Sequence, residues 1–273
     1  MATVASGSSG YDLPPHTPGF AEAQSDMTER SREAAGLPSL VKDLPYGADV
    51  RQKLDIFSAG RDAPVLVFLR GGYWRVGEKE DRWFPASEWL ARGVSWVVPN
   101  YRLAPDASLP DIVADAQAAL DWLLAQGKSH GIDPAQIHLV GNSAGAHLAA
   151  MLGAGPAGAQ VRSLTLLSGL YDLVPLVDEE PNDWLKMDRE TAIAMSPSCH
   201  LPPARLPVTV CCGGTETDAF KDQSARYAAT LRDNGNPVEH FLSPGRNHME
   251  IILECGTPGS PVFEALERHL GLR

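Results

Sequence analysis

Two hydrophobic periods divide the chain. Short apolar runs recur at Pro64 to Leu69 (PVLVFL), Trp96 to Pro99, Ile137 to Val140, Leu164 to Leu167, Pro207 to Cys212 and Val238 to Leu242. Their length and composition predict strands, and an unbroken run such as PVLVFL is of the kind buried on both faces of a parallel sheet. Between them the apolar residues fall at helical spacing. The clearest case is Pro110 to Gln126, where Ile112, Val113, Ala116, Ala119, Leu120, Leu123 and Leu124 share a face, Pro110 suits a first turn and Gly127 a stop. Glu80 to Arg92 reads as an amphipathic helix, Ala146 to Leu152 as a small-residue helix, Asp218 to Asn234 as a helix closed by Asn234-Gly235, and Val262 to Leu270 as a last one.

The remaining stretches are less regular. From Leu44, LPYGADVRQKLDIFSA carries a Gly-containing turn between two alternating runs, which predicts a hairpin whose second strand holds Leu54, Ile56 and Phe57. Ser25 to Ala35 predicts a short helix. Residues 1 to about 20, rich in Ser, Gly and Pro, are expected to lack regular structure. Tyr171 to Leu206 mixes acidic, aromatic and proline residues and reads either as a cap over the carboxyl edge of the sheet or as a surface insertion. Alternating strands and helices imply one α/β domain over residues 1–273, a mostly parallel sheet with helices on both faces.

Composition narrows the function. A chain of 273 residues, 44% hydrophobic, fits one large α/β domain, and no compositional break argues for two. A formal charge of −11 and an isoelectric point near 5.1 argue against nucleic acid or an anionic membrane as partner, since both need clustered Lys and Arg. The N-terminal stretch lacks a basic start followed by an apolar run, so no signal peptide is expected, and no run is long enough to cross a bilayer. Cys199, Cys211, Cys212 and Cys255 show no Cys-x-x-Cys spacing and read as reduced thiols of a cytoplasmic protein. No His-Glu-x-x-His, Cys/His cluster, Walker loop or Gly-x-Gly-x-x-Gly is present, so neither a metal nor a cofactor is implied.

The chemistry gathers around QIHLVGNSAGAHLAAML, Gln136 to Leu152. An apolar strand runs into Gly141-Asn142-Ser143-Ala144-Gly145 and then into a helix, which is the setting of a nucleophile elbow. The glycines avoid collision with neighbouring backbone, Ser143 is expected to be presented rather than buried, and the Ala144 amide is expected to face a developing oxyanion. A serine hydroxyl needs a base, and the base a carboxylate. In this fold the order is Ser, acid, His. His248, in a loop after the last strand, is the expected base, whereas His240 lies in a strand, His269 on the terminal helix, and His147 reads as a packing residue. Two carboxylates follow strand Pro207 to Cys212, Glu216 and Asp218, the second also suited to capping the next helix. Arg70-Gly71-Gly72-Tyr73-Trp74, directly after PVLVFL, offers the amides of Gly72 and Tyr73 as further oxyanion donors.

Taken with YG-x-x-x-R-Q-x-LDIF (Tyr46 to Phe57), GGYW (Gly71 to Trp74), YRLAP (Tyr101 to Pro105), GNSAGAHLA (Gly141 to Ala149), SGLYDLVPL (Ser168 to Leu176), ETDAFKDQS (Glu216 to Ser224) and NHMEII (Asn247 to Ile252), the chain resembles the kynurenine formamidase (arylformamidase) group of α/β-hydrolases, close to the hormone-sensitive-lipase-like esterases. The resemblance implies an α/β-hydrolase fold and hydrolysis of a small aryl formamide, N-formylkynurenine above all, or of short acyl or aryl esters. A homodimer is compatible with it. It matches Glu216 to the acid of the triad, while the lipase-like Asp-x-x-x-Asp pattern selects Asp218 with Asp222. Arg70 and Asn142 stand where the family usually has His. Neither is a triad position, so hydrolysis is expected to survive and substrate choice to shift. Arg70 either holds its loop by hydrogen bonds or meets a substrate carboxylate, Asn142 is a second candidate contact, and Tyr73 and Trp74, with residues of the 171 to 206 stretch, are placed either to stack on an aryl ring or in the core.

Overall fold

A computed structural model describes residues 10–11 and 18–272. The expected irregular stretch before residue 20 falls almost wholly outside them. Eight strands form one sheet: β1 (Leu40–Pro45), β2 (Lys53–Phe57), β3 (Ala63–Leu69), β4 (Ser95–Pro99), β5 (Ile132–Asn142), β6 (Val161–Leu167), β7 (Val208–Gly213) and β8 (Val238–Ser243). Their order is β1-β2-β4-β3-β5-β6-β7-β8, antiparallel for β1–β2 and β2–β4 and parallel from β4 through β8. This is an α/β-hydrolase fold.

Alternation along the central strands divides the core in two. Val65, Val67 and Leu69 of β3 pack on one face with Leu139 and Leu164, under α3 (Leu109–Gln126), α4 (Ala144–Ala154) and α7 (Asp218–Asp233). Leu66 and Phe68 point the other way, to Trp96, Val140 and Leu167, under α1 (Phe20–Ala34), α2 (Ala86–Leu90), α8 (Glu250–Leu253) and α9 (Pro261–His269). Both faces are apolar because both are covered, and the strand runs are unbroken for that reason. Among the described residues no helix is long and apolar enough to cross a membrane.

Three elements differ from the sequence reading. The helix expected over Glu80 to Arg92 is a 3₁₀ turn, Lys79–Arg82, followed by the short α2. Pro85 stands between them; it has no N–H to donate and restricts the residue before it, so one continuous helix cannot form. The helix expected from Ser25 begins at Phe20, since Ala23, Met27, Ser31 and Ala34 give it a buried stripe. Tyr171 to Leu206 contains two short helices, α5 (Asn182–Leu185) and α6 (Arg189–Ala194), the second capped by the Asp188 side chain.

Register decides what meets at the carboxyl edge. Leu69 pairs with Gly141, Asn142 with Leu167, Leu167 with Cys211, and Gly213 with Ser243. The loops that follow β3, β5, β6, β7 and β8 therefore leave the sheet side by side.

Candidate active site

Ser143 sits between the end of β5 and the start of α4 at φ 54° and ψ −123°. A side chain in such a conformation costs about 1–3 kcal/mol and persists only where its surroundings enforce it. The Ser143 amide donates to the Leu167 carbonyl at 2.8 Å. A Cβ on Gly141 would stand 2.2 Å from the Gly145 carbonyl oxygen, and one on Gly145 1.9 Å from that of Leu69, so no larger residue fits either place. The expectation that Ser143 is presented rather than buried needs correction, because it is only 2% exposed. Loops and α1 rise around it, and it opens instead into the wall of a cavity of about 800 Å³ shared with Gly71, Gly72, Asn142 and His248.

Glu216 and His248 come from the loops after β7 and β8. Glu216 Oε2 lies 2.6 Å from His248 Nδ1, and Glu216 Oε1 accepts from the Ser168 hydroxyl at 2.5 Å and from the Gly213 amide at 2.6 Å. Phe220 packs against the imidazole with ring centres 4.6 Å apart. Burial pushes the Glu216 carboxyl up, but the charge and hydrogen bond of His248, with Ser168 and the Gly213 amide, outweigh it and hold the group below the usual glutamate range. An ionised Glu216 on Nδ1 fixes the tautomer whose Nε2 is the basic nitrogen. Asp218, the alternative acid, has a side chain 97% exposed, opens α7 and pairs with Lys221 at 3.2 Å. The structure brings Glu216 to His248 and leaves Asp218 outside. His269 is held by Thr209 at 2.9 Å, and His240 stays in β8.

The loop after β3 is latched to the elbow. The Gly71 amide donates to Asn142 Oδ1 at 3.0 Å, and a Cβ on Gly71 would stand 2.6 Å from Asn142 Nδ2. Gly72 has φ 113°, which only glycine adopts readily, and its carbonyl accepts from the amides of Arg75 and Val76. That turn carries Gly72 and Tyr73 along the cavity wall, just beyond the end of β3, whose Leu69 pairs with Gly141 of the elbow. Ala144 is the first residue of α4, so its amide stands at the positive end of the helix dipole.

This arrangement has relatives. The BD-FAE family model matches residues 54–166. A kynurenine formamidase from Salmo salar is 31% identical over 240 residues, covering 83% of this chain and 80% of that protein. The chain belongs to the kynurenine formamidase family. A solved structure from Silicibacter sp., described as a candidate thioesterase, superposes with a TM-score of 0.81 at 28% identity, covering 93% of this chain and 96% of its own. The carboxylesterase EstE1, from a metagenomic library, shares the fold with a TM-score of 0.69 at 21% identity, covering 95% of this chain and 98% of its own. The protein is a hydrolase.

Within this kynurenine formamidase fold, two residues offered as substrate contacts are placed elsewhere. Arg70 is 1% exposed and is committed to its own loop: Nε donates to Asn100 Oδ1 at 3.1 Å, Nη1 to the Val76 carbonyl at 2.7 Å, and the guanidinium lies 4.2 Å from the centre of the Tyr101 ring. Its role is to stake the loop from beneath, since the planar fork of donors reaches several fixed acceptors at once. Trp74 is fully buried and meets His147 edge-on at 5.0 Å, so it is core. His147 bonds the Met195 carbonyl at 2.8 Å, and burial pulls its pKa down to about 4. Tyr73 and Asn142 do line the cavity.

Sequence reasoning missed Ser168 as a partner of the acid, and it missed Phe20, Arg82 and Met249 in the cavity wall, while Trp184 comes from the 171 to 206 stretch expected to offer aromatic contacts. Ser168 carried a signal, as the residue directly after a buried strand. Met249 lay inside the motif NHMEII, next to the base, while Phe20 and Arg82 come from segments with no motif. Among the described residues no group of three or more His, Cys, Asp and Glu side chains is arranged to hold a metal ion.

Proposed function

We propose that the protein is a serine hydrolase of aryl formamides, converting N-formylkynurenine to kynurenine and formate. The observation that carries this reading is the 2.6 Å contact of Glu216 with His248 in a cavity whose wall includes Ser143 at a strained elbow. Ser143 Oγ attacks the formyl carbon while His248 takes its proton. The carbonyl oxygen, now negative, is met by the amides of Gly72, Tyr73 and Ala144. His248 then returns the proton to the aryl nitrogen, which could not leave as an anion, and the C–N bond breaks to give the free arylamine and a formyl-enzyme. Water, deprotonated by His248, releases formate and restores Ser143. Tyr73 and Trp184, whose ring centres lie 6.3 Å apart on the wall, supply aromatic surface for the aryl group, and Trp184 makes α5 part of a cap over the site. The buried free thiols Cys211, Cys212 and Cys255 fit a cytoplasmic setting.

A second reading, a carboxylesterase for short acyl or aryl esters, uses the same machinery, because an alkoxide or phenoxide leaves more readily than an unprotonated amide nitrogen. The test is turnover of N-formylkynurenine beside p-nitrophenyl butyrate, with Ser143→Ala as control. A formamide rate well above that for the ester, abolished in the control, is expected. Ester turnover alone would overturn the formamidase reading and leave the esterase.

A further inference from the structure

The cavity holds a cation for which the triad has no use. Arg82 closes the 3₁₀ turn Lys79–Arg82 and lies in the cavity wall. The turn that carries it is fastened at three points. Lys79 Nζ pairs with the buried Asp55 at 3.0 Å, Trp83 Nε1 donates to the same carboxylate at 3.0 Å, and Trp96 Nε1 donates to the Arg82 carbonyl at 2.9 Å. The side chain is less well supplied. It is 9% exposed, its Nη1 donates to the Asp81 carbonyl at 2.9 Å, and its Nε is buried with no partner.

The local charge balance leaves an anion wanting. Among the described residues no carboxylate forms an ion pair with Arg82. Asp81, next to it and also on the wall, has Oδ2 taken by the Glu78 amide at 2.9 Å, and Glu78 is shared between Arg51 and Asn100. Arg70 adds a second buried guanidinium nearby, and its own Nη2 is without a partner. Burial weakens the hold of Arg82 on its proton; Asp81 opposes that and Arg70 adds to it. Arg75, the other cation of the wall, is exposed and already stacked 4.5 Å from the centre of Trp184. A guanidinium out of water without a carboxylate is costly, and its fork of donors matches a carboxylate in two bonds.

We propose that Arg82 is the subsite for a carboxylate carried on the leaving-group side of the substrate, so that the enzyme prefers anionic aryl formamides or esters to neutral ones of the same shape. This rests on the reading of the cavity as a hydrolytic site centred on Ser143. In N-formylkynurenine the group concerned is the α-carboxylate of the amino-acid side chain. The anchored turn holds the guanidinium in place before substrate arrives, so little ordering remains to be done on binding.

Two substrate pairs test it. One is 4-(2-formamidophenyl)-4-oxobutanoate, which is N-formylkynurenine without its ammonium group, with the same formamide carrying the carboxylate as its amide; the other is a phenyl acetate bearing a ring-linked propanoate, with the same ester carrying the propanoate as its amide. Arg82→Gln should raise KM for the charged member of each pair by about tenfold or more, with kcat near that of the unsubstituted enzyme, and leave the neutral member unchanged. Arg82→Lys, which keeps the charge and the fold, should restore part of the preference. Equal changes for charged and neutral members would overturn the proposal, as would an unsubstituted enzyme with no preference for charge. If neither formamide is turned over but the charged acetate is preferred and Arg82→Gln removes that preference, the subsite stands and the formamidase reading falls.

Discussion

Glu216→Gln removes one charge and replaces one acceptor with a donor. The glutamine carbonyl oxygen can still accept from Ser168 and Gly213, which hold Oε1 at 2.5 and 2.6 Å. Its amide nitrogen then takes the place of Oε2, 2.6 Å from His248 Nδ1. Two donors cannot share that contact, so the imidazole adopts the tautomer with its proton on Nε2, which cannot accept the proton of Ser143. A wrong tautomer in a triad of this type lowers kcat by about 10⁴, or roughly 5 kcal/mol of transition-state stabilisation. The assay is kcat on N-formylkynurenine and on an aryl acetate, with circular dichroism to show that the variant is folded. Asp218→Asn, a change at an exposed side chain paired only with Lys221, should stay within about twofold. The reasoning is refuted if Glu216→Gln keeps more than a tenth of the activity, or if Asp218→Asn loses as much as Glu216→Gln. The same substitution has a signature in stability. A carboxyl held below its ordinary value of 4.5 binds its proton more weakly folded than unfolded, so its contribution is present above that pH and is lost as the pH falls towards the folded value. The difference in unfolding free energy between the two proteins should therefore shrink on acidification.

Gly145→Ala, which places a methyl 1.9 Å from the Leu69 carbonyl, cannot be absorbed by a side-chain shift and should cost more than about 3 kcal/mol in urea unfolding. Asn142→Ala removes the acceptor of the Gly71 amide; it should cost about 1–3 kcal/mol of stability, and lower kcat by about ten- to a hundredfold with little change in KM, and an unchanged kcat would show that the latch does not position the oxyanion loop. His138, His147 and His269 are each held near a pKa of about 4 by burial, whereas the unfolded chain protonates them near 6.5. Stability should then fall as the pH drops from 6.5 towards 4, by up to about 3 kcal/mol for each histidine, as urea midpoints would show, and His147→Gln should flatten that slope.

The parts that the sequence made legible are those fixed by a local rule. PVLVFL reads as a strand because Val65, Val67 and Leu69 serve one core and Leu66 and Phe68 the other. The elbow reads from its glycines, and the acid and base from chain order and from the loops they follow. The choice between Glu216 and Asp218 was harder to read, since two residues along a loop make no difference to order and every difference to reach. Glu80 to Arg92 misled because Trp83, Phe84, Trp89 and Leu90 satisfy an apolar face even when Pro85 splits the segment. The catalytic side of the cavity was legible in Gly72, Tyr73, Asn142, Ser143 and His248, but its far wall was not. Phe20, Arg82, Trp184 and Met249 belong to four separate segments, and only the register of the sheet and the packing of α1 and α5 bring them together. Burial of Ser143 follows from the same assembly, which no local pattern encodes.

Backbone strain ties the site to the rest of the molecule. Of the non-glycine residues with positive φ, Tyr73, Trp74, Ser143 and Ser168 all lie just beyond the carboxyl ends of β3, β5 and β6. At about 1–3 kcal/mol each, they together oppose folding by an amount comparable to the whole stability of a typical domain. Each is held by a bond to a neighbouring element. The Ser143 amide donates to Leu167, the Ser168 amide to Cys211 at 2.7 Å, the Ala104 amide to the Trp74 carbonyl at 2.8 Å, and Trp184 Nε1 to the Tyr73 carbonyl at 3.0 Å. The Leu167 and Cys211 carbonyls belong to strands whose side chains are buried on both faces, Ala104 is buried in the loop after β4, and Trp184 belongs to α5 in the cavity wall. The doubly covered sheet is thus what lets the nucleophile, the oxyanion loop and the residue behind the acid keep conformations that their own sequences disfavour. A fold with one solvated face would have less burial to set against that strain, and the same motif residues would relax to geometries in which they no longer meet.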